Sequence, residues 1–112
     1  MTPEELAVIE KLRSNYDSIH DNLDALLEAC GDDQMLKRQV GDNMQEALRS
    51  YLVAQNRILN QSAAVIKRVS DAADKAQEQI DQALKDLQNI KAVLGAITKA
   101  VKTVGIIVGN LK

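Results

Sequence analysis

The residues from which chemistry would have to start are few: one histidine, one cysteine and a stripe of carboxylates. Catalysis needs convergent groups with tuned ionisation. His20 follows Ile19, and Ile19 belongs to an apolar run at helical spacing, so His20 falls at the edge of that run or in solvent. It reads as a surface or boundary residue. Cys30 lies on the same run next to a helix end, with no lysine, arginine or histidine adjoining it in sequence to lower its pKa. A small buried hydrophobe is the expected role. A single cysteine permits neither an internal disulfide nor a thiolate zinc cluster.

Asp17, Asp21, Asp24 and Glu28 fall at spacings of four, three and four, which places them in one stripe along a helix. Metal-binding helical bundles draw their ligands from Glu-x-x-His pairs, and this chain has none. The stripe reads as a solvated or partner-facing charged face. No GxxxxGK[ST] or GxGxxG phosphate loop occurs, and no basic patch interleaved with aromatics suits nucleic acid. The inventory predicts a non-enzymatic protein with no metal, cofactor, nucleic acid or small-molecule substrate.

The elements that carry these residues are expected to be helices throughout. The 112 residues are 46% apolar but only 2% aromatic, so the core must come from Leu, Ile, Val and Ala. Pro3 is the only proline and sits where a helix tolerates one. The expected fold is all-α, an antiparallel helical bundle or coiled coil of about three helices with a long C-terminal member, forming a single domain over residues 1–112.

Thr2, Pro3, Glu4 and Glu5 form a helix start, and Ile9, Leu12, Tyr16, Ile19, Leu23, Leu26 and Cys30 make a seam that ends at Gly31. This predicts a first helix over about residues 3–30. Met44, Leu48, Tyr51, Ile58, Val65 and Val69 continue at similar spacing, with Gln55 and Ser62 as polar interruptions. They predict a second helix over about 34–69, with a possible kink at Gly41. Ser70 and Asp71 then sit at a shift in register and are expected to cap a third helix over about 71–111.

That third segment carries the longest apolar series. Ala73, Ala76, Ile80, Ala83, Leu87, Ile90, Leu94, Ile97, Val101, Val104, Val108 and Leu111 never miss a step. A helix of this length should project beyond the first and leave its distal side chains bare. The overhang would bare Val101, Val104, Val108 and Leu111; with Leu94 and Ile97 on the same seam they are the expected partner-binding residues, and the partner is another copy or another helical protein.

Charge is uneven along the chain. Residues 87–112 hold four lysines and no acid, whereas residues 1–86 hold all 16 acids. The wide apolar face of residues 89–112, with lysines opposite, fits a core-facing helix and equally an interfacial membrane helix. The strict heptad spacing favours protein packing. The alternative is a membrane-associating protein, or a component of a pore-forming system, that uses residues 89–112. No signal-peptide pattern opens the chain, and no stretch of 18 residues is free of charge, so a cytoplasmic location is expected. Peripheral membrane attachment or export without a classical signal is the alternative.

Overall fold

Three of the five helices begin where a side chain satisfies their free N–H groups. In a computed structural model describing Met1–Lys112, the Thr2 hydroxyl accepts from the Glu5 backbone N–H at 3.1 Å. The Glu5 carboxylate accepts from the Thr2 N–H at 2.7 Å. This reciprocal cap opens α1, Pro3–Asp21. Asn22 ends it, its side-chain amide donating to the Ser18 carbonyl at 2.7 Å, and the chain resumes as α2, Leu23–Ala29. Gly31, at φ +59°, makes the left-handed stop. Asp33 then caps α3, Gln34–Arg57, by accepting from Met35 and Leu36. A short 3-10 turn, Ile58–Asn60, leads to Ser62, which accepts from Val65 and caps α4, Ala63–Ala83. A second such turn, Leu87–Asn89, leads into α5, Ile90–Gly109.

The chain is all-helical, with five α-helices and no strand. It differs from the expected three helices at three places. The first helix is interrupted at Asn22. The second ends at Arg57, well before residue 69, and the cap of the next helix is Ser62, not Ser70 or Asp71. The expected third helix is two, parted at residues 84–89. Gly41 causes no break, because α3 runs through it.

These breaks let the chain cover its own apolar faces. Polar contacts set the helix directions. Lys11 reaches Ser70 and Asp74, and Ser18 meets Gln77, so α1 and α4 run parallel. Gln39 meets Thr98 and Arg57 reaches the Leu111 carbonyl, so α3 and α5 also run parallel. The α4–α5 connection is a hairpin, as is α1–α3 with α2 in its bend. The four long helices thus pack in a square, with α1 beside α3 and α4, and α5 beside α3 and α4. The α3–α4 linker crosses a diagonal at one end. The whole measures 45 × 21 × 18 Å.

One cluster of 22 buried apolar residues draws on every helix. Leu12, Ile19, Leu26, Ile58, Ile80, Leu94 and Ile97 are its largest fully buried members. On α3 the inward face is Val40, Asn43, Ala47, Ser50 and Ala54. The expected seam of Met44, Leu48 and Tyr51 lies one position over and is half-buried. The inward positions of α3 are mostly small, and the bulkier Met44, Leu48 and Tyr51 pack at its flank.

Candidate functional site

His20 is exposed, as is its neighbour Asp21 at 3.5 Å, and its ring stacks on Tyr16 with centroids 5.6 Å apart. Cys30 is buried; burial, reinforced by Asp33, pushes its thiol up, away from the reactive thiolate. Of the acidic stripe, Asp17 pairs with Arg13 at 3.7 Å. No group of three or more His, Cys, Asp or Glu side chains converges as a metal site would require.

The six residues expected to meet a partner lie inside the molecule. Leu94, Ile97, Val101, Val104, Val108 and Leu111 are each at most 5% exposed. The expected overhang does not exist, because α5 is 20 residues long and folds back antiparallel to α4. Of the twelve apolar rungs, nine are buried and three (Ala83, Leu87 and Ile90) are half-buried around the hairpin bend. The neighbour that covers the ladder is the chain itself.

Outside, beside scattered exposed hydrophobics such as Leu52, Leu59 and Ile106, charge is sorted by face. Helices α1 and α4 carry nine acids against five bases. Helices α3 and α5 carry seven bases against two acids, Asp42 and Glu46. Because α1 neighbours α4 and α3 neighbours α5, one long face is negative and the opposite one positive. No ion pair links Lys91, Lys99 or Lys102 to any carboxylate, and Asp24 and Glu28 are likewise without one.

Each face holds a groove between its parallel helices. The one on the positive face, of about 770 Å³, is lined by Gln39, Asp42, Asn43, Glu46, Arg49, Thr98, Lys102, Gly105 and Ile106 among others, its two acids and two bases balancing. Ile106 stands 68% exposed on its rim. Gln39 donates to the Thr98 hydroxyl at 2.9 Å, and Thr98 donates to the Asn43 carbonyl oxygen at 2.9 Å. Glu46 lies over Gly105, in space that a Cβ there would occupy, and pairs with Arg49 at 2.8 Å. That bond holds the Arg49 guanidinium even more firmly charged. Thr98 is half-buried on this seam. The groove on the negative face, also about 770 Å³, runs between α1 and α4 past Glu4, Glu5, Val8, Lys11, Ile66, Lys67, Ser70 and Asp71.

The sequence signals net charge by segment but not by face, since the face depends on α3 and α5 becoming neighbours. Compared with known proteins, the chain matches no family, no curated protein and no solved structure.

Proposed function

We propose that this protein is a non-enzymatic interaction module that self-associates face to face, the positive α3–α5 side of one copy meeting the negative α1–α4 side of the next. The expected contact through the apolar seam of α5 is replaced by one through the outer surface, because that seam is already spent on the chain's own core. The observation that carries the reading is the segregation of charge onto opposite long faces, each side left short of counter-charge within the molecule. A face of 45 by 21 Å offers room for the roughly 800 Å² per partner of a stable contact. Exposed ion pairs contribute only about 0–1 kcal/mol each, so they set orientation while Ile106 and the two grooves supply the apolar contact. Such a pairing is heterologous and repeats, giving a short row and not a closed dimer.

Sedimentation velocity tests this directly. Association should be present at about 20 mM salt and absent at about 500 mM, where the screening length shrinks to a few ångströms. Lys99→Glu with Lys102→Glu, and Glu10→Lys with Glu78→Lys, should each remain monomeric alone and associate when mixed. A chain that is monomeric at both salt concentrations refutes the reading.

A further inference from the structure

We infer that the protein binds anionic lipid surfaces by parting the α3–α5 seam and laying α5 flat in the interface. The inference rests on what α5 is made of and on what it packs against, and is independent of the self-association above.

From Leu87 to Gly109 the chain is long and apolar enough, by length and composition alone, to cross a membrane, and 44% of its apolar 18-residue window is buried, the share of a helix with one face in a core. It holds no acid. Its lysines, Lys91, Lys99 and Lys102, are all on the exposed face, and its buried face is apolar apart from Gly105. Lys99 and Lys102 stand at mid-length. In a spanning pose each would sit near the bilayer centre and weaken insertion roughly a hundredfold. Lying flat, the same lysines meet headgroups and each strengthens binding to anionic lipid roughly fivefold. The flat pose wins.

The second observation concerns the seat that α5 occupies. Three buried polar atoms have no hydrogen-bond partner: Asn15 Oδ1, Asn43 Nδ2 and Ser50 Oγ. Asn43 and Ser50 are on α3, beside α5, whereas Asn15 is on α1 and bonds to α4. Asn43 accepts from Thr98, and Asn15 and Ser50 share a narrow void with Leu12, Ala47, Val101 and Val104, too small for water. The most apolar helix is therefore packed over the polar part of the core. Transfer to lipid keeps its apolar face out of water while Asn43 and Ser50, on the α3 side of the parted seam, regain hydration. No other helix combines an acid-free surface with such a seat.

The test uses the full chain with vesicles of phosphatidylcholine alone, or with about one third phosphatidylglycerol. The native protein should co-sediment with the anionic vesicles only, and α3 amides should lose hydrogen-exchange protection on binding. Ser50→Ala removes one unpartnered oxygen without adding volume or changing charge. It should raise the melting temperature and weaken vesicle binding about tenfold, with salt-dependent self-association unchanged. Lys99→Glu with Lys102→Glu should abolish vesicle binding at an unchanged melting temperature. Failure of the native protein to bind anionic vesicles overturns the inference. So does binding with α3 protection intact, or equal binding by Ser50→Ala, since either means the closed molecule docks by charge alone.

Discussion

Gly95 and Gly31 show how differently one residue type can serve a helical chain. Gly95 lies inside α5, exposed, with nothing within 4 Å of where a Cβ would be. Gly95→Ala should stabilise the fold by about 0.5–1 kcal/mol through backbone entropy and helix propensity. Gly31, at φ +59°, also has open space around it, but its backbone is one that L side chains adopt reluctantly. Gly31→Ala should cost about 1 kcal/mol. Thermal melts of the two variants should move in opposite directions. Glu5 offers a test by pH. Hydrogen bonding from the Thr2 backbone, then from its side chain, holds the Glu5 carboxyl below its ordinary 4.5. A group depressed in the folded state stabilises it above the unfolded pKa, and that contribution fades as pH falls below about 4.5 through the lowered value. Glu5→Gln, which can still reach back to the Thr2 N–H, should remove this part of the acid sensitivity. Cys30, buried and with its thiol pushed up, should react with a thiol reagent only as fast as the protein opens.

At the scale of the element, α5 contributes more buried residues than any other helix. Ile97 is 1% exposed, and Ile97→Ala should cost about 2–5 kcal/mol in denaturant unfolding through lost burial and the void left behind. Leu94→Asp buries a carboxylate where no cation pairs with it and should unfold the chain outright, whereas the exposed Lys99→Glu should leave stability nearly unchanged. Ser62→Ala removes the cap of α4 and should cost about 0.5–2 kcal/mol. The start of α1 was legible because Thr2, Pro3 and Glu5 act over three residues, and the stop at Gly31 because only one residue type suits it. The breaks at 58–62 and 84–89 were not. Neither contains glycine or proline, and apolar residues persist through both at helical spacing: Ile58, then Leu84 and Leu87. A periodic pattern records which side chains go inward. It does not record whether the backbone between them is straight or reversed. The polar cluster Asn60-Gln61-Ser62 was the available sign of the first break, since Ser62 is a good cap.

For the molecule as a whole, the all-helical class followed from composition, and most of the core followed from the seams of the first helix and of residues 73–111. The sidedness of the charge did not, because it belongs to no segment. Asp42 and Glu46 are the only acids on the positive side, and α3 joins that side only because the linker crosses the diagonal to α4. For the same reason the exposed seam expected on a projecting C-terminal helix disappears: a four-helix square closes over residues that a three-helix arrangement would leave bare. At this scale the expected behaviour is strong salt dependence of association with weak salt dependence of stability, measured by sedimentation and by melting on the same samples. The core is apolar, and of the five ion pairs only Lys11–Asp74 joins two helices.

The linker at residues 58–62 also decides where the two chain ends emerge. Thr2 borders Gln61 in one groove, Gln61 donates to the Lys112 carbonyl at 3.4 Å, and Arg57 donates to that of Leu111 at 3.2 Å. Beginning, middle and end of the chain gather at a single pole, and the bends around Gly31 and Lys85 form the other. Dyes on the two termini would stay within close energy-transfer range while the hairpins remain docked and separate when they part. A pair spanning Gly31 and either terminus would report the length of the rod instead.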